Sequence, residues 1–375
     1  MIRSTIGKGS VIHLLTAEPD NAAANDPAFH HLMAELQIQW IPTQYAPIGW
    51  KGWFLWVWNV LKIRFYCFRH NIQVLHAFAP VAGALAWMAN RYSKKKLVID
   101  SWEPHADAMV ETGVWTKHSK AFKILFALEK SMARDADFLI AAHPSMLEYS
   151  TTRYGISPRQ IAYKPACIDL TIFDPYLFDK HELRIKFGFR KEDTIGICVS
   201  QLGGMYYFEE TLQLMHLAQN VFANGMKWLL LTSTPSEKIK AAARVLNINL
   251  EPVTILKCAP EKVPMYLAMA DFAYNPQMSV PSKRYGTPVK NGEYWAMGLP
   301  ILLMPDTSQD SHLAQKYGVG VVLTSTQEID QQTALTNMKL LLQNPNIGAD
   351  CRQIASEFRD PAIAQLAYAK VYGRT

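Results

Sequence analysis

The densest chemistry in the chain lies in one stretch, Ser279-Val-Pro-Ser-Lys283-Arg284-Tyr285-Gly286-Thr-Pro288-Val-Lys290-Asn291-Gly-Glu293-Tyr-Trp-Ala-Met-Gly298-Leu-Pro-Ile-Leu302. Its pattern predicts a loop, a short helix beginning near Lys290, a glycine stop at Gly298 and a buried strand. Basic side chains in front of a helix N-terminus suit a diphosphate, because free backbone N–H groups and the helix dipole add to the lysine charge. One turn inside, Glu293 has two oxygens for a pair of ribose hydroxyls. Residue types alone fit a second reading equally well, in which Lys283 and Arg284 are solvated loop charges and Glu293 is a first-turn acid favoured by the dipole.

A second constellation is Asp100-Ser-Trp-Glu103-Pro-His105-Ala-Asp107, directly after an apolar run. Asp100, Glu103, His105 and Asp107 are the right types for a general base, a hydrogen-bond partner for an acceptor hydroxyl, or a stabiliser of developing positive charge. A strand-end aspartate is also a common helix cap, and a lone histidine is often structural. Ser200-Gln-Leu-Gly203-Gly204-Met-Tyr206 follows another apolar run and offers backbone without side chains, either for a phosphate or for a plain turn. Asp135-Ala-Asp137 has the form of a metal motif, yet its first aspartate ends a helix and its second opens a strand, so no metal is expected there. His30 and His31 lie on an amphipathic helix with no carboxylate at ligand spacing and read as surface. Met265 and Met269 read as core.

These residues need elements to hold them. Short apolar runs at 11–16, 39–42, 74–78, 97–100 and 138–142 alternate with helical patterns, among them Trp53 to His70, Val81 to Tyr92 and Ser119 to Arg134. The same alternation restarts at Thr194 to Val199 and continues through 228–232, 253–256, 272–275 and 300–304. Strand–helix alternation of this kind predicts parallel sheets covered on both faces, with ligands beyond the carboxyl ends of the strands. The expected architecture is α/β: two doubly wound Rossmann-like domains facing a central cleft, residues 1–175 and 176–355, with a last helix over 356–375 that returns to the first domain. Asp-Pro and weak periodicity between Phe173 and His181 place the boundary.

Composition narrows the class. A chain of 375 residues with 49% hydrophobic, 19% charged and 11% aromatic residues has ample core for two domains and is no disordered or collagen-like chain. Lys plus Arg exceed Asp plus Glu by only 38 to 32, far from the dense basic patches of a nucleic-acid binder, so no nucleic-acid partner is expected. Cys67, Cys167, Cys198, Cys258 and Cys351 are scattered without a CxxC pair, which argues against zinc and a disulfide framework and for a reducing cytoplasm. The first apolar run is too short for a signal peptide.

Lys290 to Leu302, K-N-G-E-Y-W-A-M-G-L-P-I-L, resembles the donor-site signature of the group 1 glycosyltransferase family of GT-B fold. Other stretches resemble that family in the same order. They are Glu129 to Ile140, a helix ending in A-D before a strand; His143-Pro-Ser-Met; Tyr154-Gly through Pro165; Ile168 to Pro175; and Tyr317-Gly-Val-Gly320. The resemblance covers most of the chain from about residue 97. It implies a retaining glycosyltransferase of the hexosyltransferase class that moves a sugar from a nucleotide sugar held by the C-terminal domain to a glycan or lipid-linked acceptor held by the N-terminal one. It further implies that Gly203, Gly204, Lys283, Tyr285, Lys290, Asn291 and Glu293 lie around the donor, and that Cys258 and Ala259 lie by the base. Asp100 and His105 remain the catalytic candidates, and the diphosphate is expected to be met by basic loops and helix ends rather than by a metal or other cofactor. Bacterial surface-glycan assembly is the setting the family suggests. A nucleotide-sugar epimerase or hydrolase of the same fold, or a catalytically silent glycan-binding scaffold, are the rival readings.

The sequence departs from the family in three places. Tyr285 stands where many members carry a glutamate, eight residues before Glu293. The Gly203-Gly204 loop lacks the Arg and downstream Lys that often hold the diphosphate, leaving Lys283, Arg284 and Lys290 to substitute. Glu18 to Asn25 replaces the usual glycine-rich loop after the first strand. A further oddity is aromatic weight: Trp50, Trp53, Trp56 and Trp58 lead into Phe65 and Phe68, interspersed with Lys51, Lys62, Arg64 and Arg69. The apolar part is too short to span a bilayer. Trp53 to Arg69 is expected either to lie in a membrane interface, as suits a peripheral enzyme on the inner face of the membrane, or to pack its rings on the sheet while the basic residues snorkel.

Overall fold

The structure is a computed structural model that describes residues 11–18, 26–46, 52–222 and 225–373. Trp50, Lys51 and residues 19–25 of the loop after the first strand lie outside the described residues. The chain forms two compact units: Met1–Val110 with Trp115–Tyr163 and Gln365–Thr375, and Glu111–Val114 with Lys164–Ala364. The second unit thus takes in residues from Lys164 onward, ahead of the 175/176 boundary expected from the Asp-Pro segment.

The first unit contains β1 (His13–Glu18), α1 (Pro27–Glu35), β2 (Gln39–Gln44), α2 (Trp53–Arg69), β3 (Val74–Phe78), α3 (Pro80–Asn90) and β4 (Lys96–Trp102). It continues with α4 (His105–Glu111), α5 (Lys120–Asp135), β5 (Phe138–Ala141), α6 (Met146–Tyr149) and β6 (Ile161–Tyr163). All pairings are parallel, as a two-stranded β1-β2 sheet and a four-stranded sheet in the order β3-β4-β5-β6. The middle strands β4 and β5 are apolar and buried on both sides, as a covered parallel sheet requires. Register slips between Ile99 and Trp102, and Ser101 takes φ +51°, so β4 kinks just past Asp100. Ser119 caps α5 by accepting from the Phe122 N–H, at the position its sequence predicts.

The second unit contains α7 (Lys180–Lys186), β7 (Thr194–Val199), α8 (Glu209–Phe222), β8 (Met226–Leu231), α9 (Ser236–Val245), β9 (Val253–Leu256), α10 (Val263–Met269) and β10 (Phe272–Asn275). There follow α11 (Val289–Ala296), β11 (Ile301–Leu303), α12 (Gln309–Tyr317), β12 (Gly320–Val322), α13 (Glu328–Leu341) and α14 (Ile347–Arg359), and a last helix, α15 (Pro361–Tyr372), belongs to the first unit from Gln365 on. The six strands of the second unit form one parallel sheet in the order β9-β8-β7-β10-β11-β12. The order reverses between β7 and β10, so the connections leaving these two strands run to opposite sides and open a crevice at their carboxyl ends. Core fills both faces, with Ile195, Ile197 and Trp295 in one layer and Trp228, Phe272 and Leu212 in the other.

The aromatic helix does not follow its packing expectation. Ile63 and Cys67 are buried and Trp56 and Val60 half-buried against Leu85 and Ala89 of α3, but Trp53, Phe54, Trp58, Phe65 and Phe68 face outward. Successive positions advance by about 100° around a helix, so Phe54, Trp58, Phe65 and Phe68 fall on the arc opposite Ile63 and Cys67, with Trp53 on the flank between.

Candidate functional site

The residues singled out in the second unit converge at the β7/β10 switch point. After β7 the chain makes a tight turn in which the Gly203 N–H donates to the Tyr206 carbonyl at 3.1 Å and the Tyr206 N–H donates back at 3.3 Å. Gly203 and Gly204 have φ of +92° and +64°, conformations that a side chain disfavours, and no atom lies within 4 Å of where a Cβ would stand. The turn is therefore both a real turn and a bare backbone surface. The Tyr207 N–H donates to Pro276 and the Met278 N–H to Met205, so the turn is tied to the segment leaving β10.

From that segment rises a short 3₁₀ turn, Pro281–Tyr285, and then α11. Lys283 Nζ reaches Met205 Sδ at 3.3 Å, and the Lys290 ammonium sits 4.5 Å above the Tyr206 ring, so both lysines border the glycine turn. Pro288, the residue before α11, makes no side-chain cap, which leaves the first-turn N–H groups without the Ser, Thr or Asp oxygen that usually serves them. A cationic rim, bare glycine backbone and an uncapped helix start together have the chemistry to hold an anion. Burial raises the Glu293 carboxyl above its ordinary value, and the nearby Lys290 charge moderates the rise.

Two of the expected ligands are placed otherwise than their motif suggests. Asn291 is fully buried: its Oδ1 accepts from Asn275 Nδ2 at 2.8 Å and its Nδ2 donates to Asp310 Oδ2 at 2.8 Å. One residue along a helix is a 100° rotation, so Asn291 points inward where Lys290 borders the crevice. Its amide is spent on positioning. Tyr285, in the place of the family glutamate, is a buried ring whose hydroxyl accepts from Arg284 Nη2 at 2.8 Å. Arg284 thus clasps Tyr285.

Sequence reasoning missed the support behind this site. Asp310 is also paired with Arg359, and both are about 1% exposed. Tyr294 Oη accepts from the Val199 N–H at 3.0 Å, fastening α11 to the last residue of β7. The helical spacing of Asn291 and Tyr294 on one face was the available signal. Asp310 and Arg359 come from distant helices and left none.

In the first unit, Asp100 is fully buried at the end of β4. Its Oδ2 accepts from Tyr368 at 2.7 Å and lies 3.3 Å from His76 Nε2, while its Oδ1 accepts from the Ser101 N–H at 2.6 Å. His76 Nδ1 lies 2.6 Å from Tyr372 Oη. Asp100 therefore holds α15 to the sheet, and its geometry is that of a structural acceptor enclosed away from substrate. His105 opens α4, half-exposed, with Nδ1 3.8 Å from Glu103 Oε1. Asp107 accepts from Tyr149 at 2.6 Å and from Arg153 at 3.0 Å, and these bonds hold its carboxyl below the usual range although burial opposes them. Beneath them Glu129, wholly buried, accepts from the Ala106 N–H and the Tyr154 hydroxyl, both at 2.9 Å; burial pushes its carboxyl up to about 8.

The aspartates of Asp135-Ala-Asp137 serve local structure. Asp135 accepts from Trp87 Nε1 at 3.0 Å and Asp137 from the Leu97 N–H at 2.9 Å.

Residues 3–172 match the model of Glycosyltransferase Family 4. Sucrose-phosphate synthase from Thermosynechococcus elongatus superposes with a TM-score of 0.74 at 14% identity, covering 97% of this chain and 98% of that one. The chain is a glycosyltransferase of GT-B fold. HepE from Anabaena, solved in complex with UDP and glucose, gives 0.70 at 15% identity over 97% and 99% of the two chains. WaaG, a glycosyltransferase involved in lipopolysaccharide biosynthesis, gives 0.70 at 14% over 97% and 99%. No curated protein matches the sequence.

Proposed function

We propose that this glycosyltransferase takes its sugar from a nucleoside diphosphate sugar bound at the β7/β10 switch point, by a retaining, metal-independent route. The observation that carries the reading is the convergence of Lys283 and Lys290 on the Gly203-Gly204 turn, beside an uncapped α11 N-terminus. The diphosphate lies over the glycine turn and accepts from α11 N–H groups. The lysines meet its charge, which grows as the bond from the anomeric carbon to the phosphate oxygen breaks and its electrons pass to the leaving group. The acceptor hydroxyl then bonds the anomeric carbon from the same face, and its proton passes to the departing phosphate oxygen. Enclosure of Asp100 favours this phosphate-assisted route over one with a protein base at that position. His105 is left as the accessible hydrogen-bond partner for an acceptor hydroxyl. Glu293 accepts from the ribose hydroxyls, a role that needs its carboxylate, so donor affinity should fall as pH drops through its raised pKa.

The finer partner reading is a glycan or lipid-linked acceptor met in the cytoplasm at a membrane surface, with the outward rings of α2 as the contact. HepE, solved with UDP, supports the nucleotide donor by analogy, and WaaG, involved in lipopolysaccharide biosynthesis, supports the acceptor setting. No helix among the described residues is long and apolar enough to cross a membrane. The test is thermal protection by a panel of nucleotide sugars with and without EDTA. Protection unaffected by EDTA and weakened at least tenfold by Glu293→Ala is expected, since a hydrogen bond to a charged group contributes about 1.5–3 kcal/mol. Full donor affinity in that variant would sink the site assignment, and protection with neither transfer nor slow donor hydrolysis would favour a silent scaffold.

A further inference from the structure

Helix α2 is apolar on both faces. Its inner face packs on α3 and β3 through Ile63, Cys67 and Val60, and its outer face presents Trp58 at 66%, Phe65 at 68% and Phe68 at 84% exposure. A helix apolar all round is ordinarily buried on all sides. Beside this face runs a groove of about 660 Å³ between α2 and α5, lined by Trp56, Val60 and Leu61, by Met88 of α3, and by Ile124 and Leu128 of α5. Lys120 is its one charged lining residue. The volume is within the roughly 300–1,000 Å³ of small-ligand pockets. Trp53, Val57 and Leu61 line the groove and are also exposed, so groove and ring face are continuous.

The charge around them has one sign. Between Glu35 and Asp100 the sequence has no Asp or Glu and eight basic residues: Lys51, Lys62, Arg64, Arg69, Arg91, Lys94, Lys95 and Lys96. On α2, Arg64 lies along one edge of the ring arc, its guanidinium 5.3 Å over Tyr92, and Lys62 and Arg69 lie along the other. Lys120 and Lys123 follow on α5. Pairing this face with a second copy of itself would set like charges together. An anionic lipid surface complements it, offering hydrocarbon to the rings and phosphate to the lysines and arginines.

We infer that the α2/α5 groove seats one acyl chain of an anionic phospholipid, while the ring face of α2 lies in the membrane interface around it. This rests on the membrane reading above and adds a lipid and a binding site to it. The rings enter the boundary between head groups and acyl chains, the chain fills an apolar groove that would otherwise hold water, and the phosphate pairs with the cationic edge.

The experiment uses the full chain with phosphatidylcholine vesicles, with and without one-third phosphatidylglycerol. Flotation reports the surface, and native mass spectrometry after removal of the vesicles reports the groove. Wild type should float at least tenfold more on the anionic vesicles and retain one phosphatidylglycerol per chain. Ala121→Trp fills the groove and should float yet lose the retained lipid; Ile124→Trp serves the same end if the first variant fails to fold. Phe65→Glu with Phe68→Glu should abolish flotation. Overturning results are equal flotation on the two vesicles, retention of lipid by a folded groove-filled variant, absence of retained lipid in wild type, or a concentration-dependent dimer that hides the rings. Donor protection, measured on the same samples, reads the second unit separately, so loss of donor binding with lipid retention intact would fault only the transferase site.

Discussion

The two units share a parallel strand–helix plan and spend their unusual residues in opposite directions. The second unit turns polar groups inward: Asn275, Asn291, Asp310 and Arg359 form a buried chain of bonds behind the β7/β10 crevice. The first unit turns apolar groups outward, leaving the rings of α2 in solvent. A buried polar network is costly unless complete, and when complete it holds one geometry, which suits the proposed diphosphate site. Exposed rings contribute little to folding and become useful when something apolar covers them.

That contrast can be broken experimentally. The largest effect is expected from Arg359→Met, which strands the Asp310 carboxylate in the core and should cost about 3–5 kcal/mol of second-unit stability in urea unfolding. Adding Asp310→Leu should restore much of the loss while leaving donor affinity weakened, which would show that the pair positions α11. Next, Gly292→Ala puts a Cβ 2.6 Å from Ile168 Cγ1 and 3.2 Å from Arg359 Cγ, and should lower stability by about 1–3 kcal/mol in the same assay.

In the first unit, Glu129, like Asp100, is built in the manner of the second unit's interior. Its folded pKa of about 8 lies above an ordinary carboxyl, so the unfolded chain releases the proton first as pH rises. Stability should therefore be highest at and below the ordinary carboxyl pKa, fall between about pH 5 and 8, and level off above, by up to a few kcal/mol. Glu129→Gln should flatten that slope in melts taken across the range. The smallest effect belongs to the ring face: Phe68→Ser should shift first-unit stability by no more than about 0.5 kcal/mol. A large loss there would mean that the ring packs in solution and that the contrast between the units is false.

The meeting of the second unit's candidate residues at the β7/β10 crevice was legible because its signals are local. Lys283, Lys290, Glu293 and the glycine pair belong to short motifs at strand ends, and a parallel sheet delivers strand ends to one edge. Asn291 was misplaced by the same locality, because a motif shows adjacency in sequence while a helix turns neighbours to different faces. Asp100 was illegible for the opposite reason. Its partner Tyr368, and Tyr372 that bonds the neighbouring His76, lie more than two hundred residues away, on a helix whose return to the first unit brings them to β4.

By itself the sequence determined the strand–helix alternation, the glycine turn, the cationic stretch before α11 and the absence of acid from residue 36 to 99, since each follows from residue type and short-range spacing. The tertiary structure alone decided which side of each helix faces inward. That choice buries Asn291 and Asp100 as positioning groups and leaves Phe65 and Phe68 outside, because burial depends on what packs against a face, and the partners come from far along the chain.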